Sequence, residues 1–157
     1  MATSDRHKLF SLSIDSVQSG MNATVDSESK GVIADILDEN VFELVGHNLG
    51  PYNLSLCRAE SKLVFRISNS AGNELISHLI SILPLRRIIK DYKQMYEAHY
   101  EAACAGLHPS RLEAIDMARR ALHDEGAQLL SARISPKVRI DFDTARRLFT
   151  LVHVAVS

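Results

Sequence analysis

The most informative part of the chain runs from Ser110 to Arg147, and its centre, residues 115–126, reads IDMARRALHDEG. A second Asp-x-Ala-Arg-Arg motif follows at Asp143–Arg147. These are the densest polar clusters of the chain, and the apolar spacing around each of them is typical of a helix. The two helices are therefore the first candidates for a functional site.

Arg119 is the unusual residue of the first cluster, because it falls on the apolar face of its helix. With roughly 100° between successive residues, it lies about 40° from Ile115, a residue of that face. Asp116 and His123 flank the face near its edges. Gly126 also lies on it, and its missing side chain would let another backbone come close. An unpaired buried charge costs several kcal/mol, so Arg119 needs a partner.

One interpretation of the two clusters is a binding site for an anion, either a phosphate or a carboxylate. A guanidinium group binds both anions through two parallel hydrogen bonds. In this interpretation Arg119 and His123 form the centre of the site, and arginines from neighbouring helices complete it. The predicted anion-binding residues are Arg119, His123, Arg146, Arg147, Arg86 and Arg87.

A structural ion-pair network is the alternative, and at this stage it is the favoured interpretation. The pairs Asp116–Arg120 and Asp143–Arg147 have the spacing of neighbours on one helix face, and Arg119 would pair across to Asp141. Such pairs are common on helices, and each exposed pair contributes only about a few tenths of a kcal/mol. The arginines would then lock the helices together, and the protein would have a structural or partner-binding role.

A small enzyme is the second alternative, with His123 as general acid–base and Asp116 as the group that orients it. A histidine one helical turn beyond an arginine can have a pKa tuned for this work. The short motifs of phosphate-binding loops, zinc proteases and serine hydrolases are absent from the sequence. We therefore predict no metal and no cofactor, and favour a binding module over an enzyme.

Apolar periodicity along the chain predicts an α+β fold, an antiparallel sheet of about four to five strands with three or four helices packed on one face. Residues 63–67 give the clearest strand alternation, and Pro84 favours the start of a long helix. Ser110 and Glu113 are spaced as a capping box for the next helix, which would run to about Ser131. The predicted strands are residues 8–15, 41–45, 52–58, 62–68, 74–80 and 138–140, and the predicted helices are residues 26–40, 84–105, 110–131 and from 142 onwards.

The length of the chain predicts one domain covering residues 1–157, with residues 1–7 as a flexible tail. The last helix is apolar around most of its circumference. Such a helix either lies inside the core or forms the interface of a homodimer.

Charge and composition exclude several classes of partner. A formal net charge of −1 gives no reason to expect a nucleic acid or an anionic membrane surface. The sequence has no secretory signal, and no apolar run approaches the roughly 18–20 residues that span a bilayer. Cys57 and Cys104 fit reduced thiols better than a disulfide. We expect a cytoplasmic protein whose partner is another protein or a small anion.

Four blocks of the sequence resemble the signature blocks of uncharacterised protein family 0262, which is found in alphaproteobacteria. The blocks are Pro84–Tyr92, Glu113–Arg120, His123–Gly126 and Ile140–Leu151. Shorter matches lie at residues 50–52 and 63–65, and the likeness covers roughly residues 25–151. The resemblance implies a small bacterial cytoplasmic protein. It brings no catalytic residues with it, because the family has no established activity.

The chain departs from the family pattern at two places. The usual His-Asn-Glu-Gly of the family is His-Asp-Glu-Gly at residues 123–126, and glycines that often flank the arginine pair are Ala118 and Ala121. A ligand that needed close approach to this backbone would meet two methyl groups. For such a ligand, that departure counts against the anion-site interpretation.

Overall fold

Six strands and four helices follow one another within residues 6–15 and 23–156, the part of the chain that the computed structural model describes. They occur in the order predicted from the sequence, and the α+β class is confirmed. The elements are β1 (Leu9–Asp15), α1 (Ala23–Asp38), β2 (Phe42–Leu44), β3 (Tyr52–Ala59), β4 (Lys62–Asn69), β5 (Glu74–Ser81), α2 (Leu83–Cys104), α3 (Pro109–Ile134), β6 (Val138–Ile140) and α4 (Phe142–Val156).

The main sheet has the strand order β1-β3-β4-β5. The pairs β3–β4 and β4–β5 are antiparallel as predicted, whereas β1 runs parallel to β3 and makes the sheet mixed. This parallel pair forms because α1 and β2 lie between β1 and β3, a connection long enough to bring the chain back in the same direction. The strands β2 and β6 form a separate antiparallel pair.

The helices pack on one face of the main sheet, where apolar side chains of neighbouring strands meet in register. Leu54 and Leu56 of β3 pair with Ile67 and Phe65 of β4, and all four are 0% exposed. Ser55, which lies between the two leucines, points to the opposite face. Burial of each large apolar side chain contributes about 1.5–3 kcal/mol, so this face determines where the helices lie.

The last helix, α4, lies inside the core and contacts α1, α3 and β3. Its apolar face therefore packs within the chain, in agreement with the first of its two predicted roles. Asp141 caps its start as predicted, because the Asp141 carboxylate accepts a hydrogen bond from the Thr144 N–H at 3.1 Å. The residues of α4 that are 0% exposed include Thr144, Leu148, Phe149, Leu151 and Val152.

A glycine allows α3 and α4 to pack closely. A Cβ atom on Gly126 would overlap the ring of Phe149, which is fully buried. The sequence predicted that another backbone would approach this glycine, but the approaching group is an aromatic side chain. The ring of Phe149 also contacts Tyr92 of α2, with centroids 5.8 Å apart, so it links three helices.

The start of α3 differs from the predicted capping box. The helix begins at Pro109, and the preceding residue, His108, is the N-cap. The His108 imidazole Nδ1 accepts a hydrogen bond from the Ser110 N–H at 3.2 Å. Proline is favoured at the first helical position because it has no N–H to leave unpaired, which moves the start ahead of Ser110. The helix also continues past Ser131 to Ile134.

The predicted flexible tail, residues 1–7, lies outside the described residues except for Arg6 and His7. The His7 carbonyl accepts a hydrogen bond from the Phe42 N–H at 2.9 Å. The predicted loop before α1 also lies outside them, at residues 16–22. None of the helices among the described residues has the length and apolar character needed to cross a membrane.

Candidate functional site

An open cleft of about 240 Å³ lies where α1, α3 and α4 meet. Its walls come from three separate parts of the sequence, and α4 contributes most of the polar groups. The core packing of α4 described above fixes which of its side chains face this cleft. The lining residues are Val32, Asp35, His123, Asp143, Arg146, Arg147 and Thr150.

Two of the predicted anion-binding arginines, Arg146 and Arg147, line this cleft. The Arg146 guanidinium, 38% exposed, lies with Nε 3.1 Å from the Asp124 carboxylate. The Arg147 guanidinium donates a hydrogen bond from Nη1 to the Glu39 carbonyl at 3.1 Å. A guanidinium group has five N–H donors, and each of these contacts involves one nitrogen. Both arginines therefore keep donors for a ligand.

His123, also predicted as a site residue, is held rigidly at the cleft. Its Nε2 lies 2.7 Å from the Arg146 carbonyl oxygen, and because a carbonyl only accepts, Nε2 carries the proton and donates it. The imidazole packs between Tyr92 and Phe149, with ring centroids 5.3 Å and 5.8 Å away. Burial lowers the pKa of His123 below its ordinary value. The imidazole is therefore neutral at neutral pH.

Thr150 completes the hydrogen bonding around the Arg146 carbonyl. Its hydroxyl donates to that carbonyl at 3.3 Å, and its oxygen lies 3.2 Å from the His123 Nε2. The Arg146 carbonyl therefore accepts hydrogen bonds from one side chain of α3 and one of α4. These contacts fix the backbone of α4 at Arg146, and with it the position from which the guanidinium extends.

Two carboxylates, Asp35 and Asp143, complete the charged lining of the cleft. Both side chains are exposed, and neither forms an ion pair with another residue of the described chain. The predicted Asp143–Arg147 ion pair is thus not formed. Asp35 was missed by sequence reasoning, because its place in the cleft depends on how α1 packs against α4 and leaves no local pattern.

Arg119 does not line the cleft, although it was the predicted centre of the site. Its guanidinium donates to the Asp116 carboxylate at 2.7 Å, whereas pairing with Asp141 was predicted. The same carboxylate binds Arg120 at 2.9 Å, as predicted for that pair. Asp141 is occupied as the cap of α4. The hydrogen bond from Arg119 is the main reason why the pKa of Asp116 is lowered. This part of the cluster is an ion-pair network.

The remaining predicted site residues lie away from the cleft. Arg86 and Arg87 are exposed at the start of α2 and are absent from the cleft lining. Asp116 precedes His123 by about two helical turns, roughly 10 Å along the axis, and its carboxylate binds arginines. The orienting pair required by the enzyme hypothesis is therefore not formed. Among the described residues, no cluster of three His, Cys, Asp or Glu side chains is arranged to hold a metal.

Comparison with known proteins identifies a family. The model of the family described as Uncharacterised protein family (UPF0262) matches residues 6–156. A UPF0262 protein of Rhizobium meliloti is 53% identical over 130 residues, which cover 83% of this chain and 82% of the relative. A UPF0262 protein of Allorhizobium ampelinum is 46% identical over 147 residues, 94% of this chain and 93% of the relative. A UPF0262 protein of Brucella suis is 48% identical over 131 residues, 83% and 81% of the two chains. No solved structure gives a significant match. The chain therefore belongs to UPF0262, a family whose relatives here come from alphaproteobacteria.

Proposed function

We propose that the protein is a small binding module, and that the cleft between α1, α3 and α4 binds an anionic group of a small ligand through Arg146 and Arg147. The observation that carries the proposal is that three residues predicted as anion ligands, His123, Arg146 and Arg147, line one open cleft. The anion is a carboxylate or a phosphate, the two groups that match the planar fork of a guanidinium.

The size of the cleft supports a small ligand. Its volume of about 240 Å³ is below the roughly 300–1,000 Å³ of sites for drug-sized molecules. The two alanines that depart from the family pattern, Ala118 and Ala121, do not line this cleft. Their methyl groups count against an anion site only where a ligand approaches that backbone closely, and the lining of this cleft does not include it.

The rigidity of the surrounding groups also supports binding. The Arg146 backbone is fixed by His123 and Thr150, and a site that is already ordered loses less entropy when a ligand binds. The neutral imidazole adds no charge that would change near pH 7. Binding of a carboxylate is therefore expected to depend on the two guanidinium groups and to vary little between about pH 7 and pH 8.

Thermal unfolding in the presence of inorganic phosphate or succinate tests the proposal. A ligand at about ten times its dissociation constant stabilises the folded state by about 1.4 kcal/mol. That corresponds to a rise in Tm of about 3–6 °C for a chain of this size. Arg147→Met should remove the response, because the methionine keeps the apolar stem and loses the charge.

The matched control is Arg111→Met, which removes an exposed arginine near the start of α3 that is not part of the cleft. This variant should respond to succinate and phosphate as the wild type does. An unchanged Tm with both probes, or an equal loss of the response in both variants, would contradict the proposal.

A further inference from the structure

The cleft carries both signs of charge, and this restricts the kind of ligand it can hold. Its lining contains two arginines and two aspartates, with a neutral histidine between the helices. The charges of the lining therefore cancel. A bare anion entering the cleft would be attracted by Arg146 and Arg147 and repelled by Asp35 and Asp143, so it would gain less electrostatic energy than a ligand that also carries a positive charge.

Among the residues that the structure describes, the two carboxylates also have no ion-pair partner. Neither Asp35 nor Asp143 forms an ion pair with a described residue, whereas Asp116 and Asp124 of the neighbouring helix are both paired with arginines. An ionised carboxylate only accepts hydrogen bonds, so the complementary group on a ligand is a cation or another strong donor. The guanidinium groups in the same cleft only donate, and they require an acceptor.

We infer that the ligand is a small zwitterion, with an anionic group bound by Arg146 and Arg147 and an ammonium group bound by Asp35 and Asp143. The inference rests on the proposed function and names the class of ligand for the same cleft. Asp35 lies on α1 and the arginines on α4, so the ligand would bridge the two helices. Amino acids and related amino-carboxylates have this combination of charges within the size that the cleft allows.

Three probes with the same four-carbon chain distinguish the contributions of the negative and the positive group of a ligand. Succinate has two carboxylates, gamma-aminobutyrate has one carboxylate and one ammonium, and putrescine has two ammonium groups. Isothermal titration calorimetry of the full chain with each probe gives three dissociation constants. Gamma-aminobutyrate should bind about tenfold more tightly than succinate or putrescine, because it alone pairs with both kinds of group.

The decisive variant is Asp35→Asn. It is expected to fold, because Asp35 lies in the last turn of α1, where a negative charge is unfavourable for the helix. The variant should reduce the preference for gamma-aminobutyrate over succinate from about tenfold to about twofold. The matched control Asp38→Asn removes an exposed carboxylate of the same helix that does not line the cleft, and it should keep the preference.

The outcomes separate this inference from the proposed function. The inference of a zwitterionic ligand is wrong if succinate binds the wild type as tightly as gamma-aminobutyrate, or if Asp35→Asn leaves the ratio of these two dissociation constants unchanged. Neither result contradicts the anion site. If putrescine binds most tightly, or if Arg147→Met changes none of the three constants, the anion site is wrong as well. A preference for gamma-aminobutyrate that depends on both Asp35 and Arg147 supports both.

Discussion

Gly126→Ala is predicted to destabilise the protein, although alanine is the better helix former. In an open helix interior the change stabilises by about 1 kcal/mol. Here the added Cβ would overlap three ring atoms of Phe149, which is 0% exposed. The ring also contacts Tyr92 and His123, with centroids 5.8 Å away in both cases, so it has little room to move.

The size of the destabilisation follows from two opposing contributions, the cost of the overlap with Phe149 and the gain in helix propensity. Overpacking a tightly packed core costs about 1–3 kcal/mol, and the direct overlap with Phe149 places this site at the upper end. After the gain in helix propensity, the net loss is about 2 kcal/mol. For a chain of this size, the Tm should fall by about 4–8 °C.

Urea unfolding followed by circular dichroism measures the change, and Gly31→Ala is the matched control. Gly31 is exposed within α1, and a Cβ built on it meets no atom within 4 Å. That variant should gain about 0.5–1 kcal/mol. Combining Gly126→Ala with Phe149→Leu should cost less than the sum of the two single changes. A Gly126→Ala protein as stable as the Gly31→Ala protein would refute the packing of α3 against α4 described above.

Two further predictions concern pH and a buried hydroxyl. Burial lowers the pKa of His123 and of His153 below the ordinary value of 6.5, so the unfolded chain binds protons that the folded chain does not. The stability that these groups contribute is fully present above about pH 7 and falls as the pH drops below 6.5. Urea unfolding at several pH values measures this change, and a stability that rises as the pH drops below 6.5 would contradict the prediction. Thr144→Val should cost about 1 kcal/mol, because the buried Thr144 hydroxyl accepts a hydrogen bond from the Val41 N–H at 3.1 Å. Thr150→Val should reduce the free energy of unfolding by less, because the Arg146 carbonyl still accepts a hydrogen bond from His123 after the Thr150 hydroxyl is removed. An equal loss of stability in the two variants would contradict this prediction.

Local patterns in the sequence predicted most of the fold, and long-range pairing explains what they missed. The alternation at residues 63–67 and the proline at the start of α2 depend only on neighbouring residues, and both elements formed where expected. The parallel pairing of β1 with β3 depends on the path of the chain through α1 and β2. The cap of α3 was missed because His108 is not among the side chains that usually cap a helix.

The candidate site was predicted only in part, again because local sequence patterns do not show long-range contacts. The helical wheel indicated Arg119 as the centre of the site. Its guanidinium instead forms an ion pair with Asp116, three residues earlier on the same helix. His123, Arg146 and Arg147 were predicted, and the packing of α4 beside α3 brings them to one cleft. Asp35 could not be predicted, because only the contact between α1 and α4 places it there.

The most direct test of the central claim is a titration of the isotopically labelled full chain with gamma-aminobutyrate, followed by two-dimensional amide NMR. We predict saturable shifts of the amide signals of Asp35, His123, Arg147 and Thr150, which surround the cleft. Signals of the ion-pair network around Arg119 and Arg120 should remain in place. Shifts confined to that network, or none at concentrations that saturate other amino-acid-binding proteins, would contradict the claim that this cleft is the binding site.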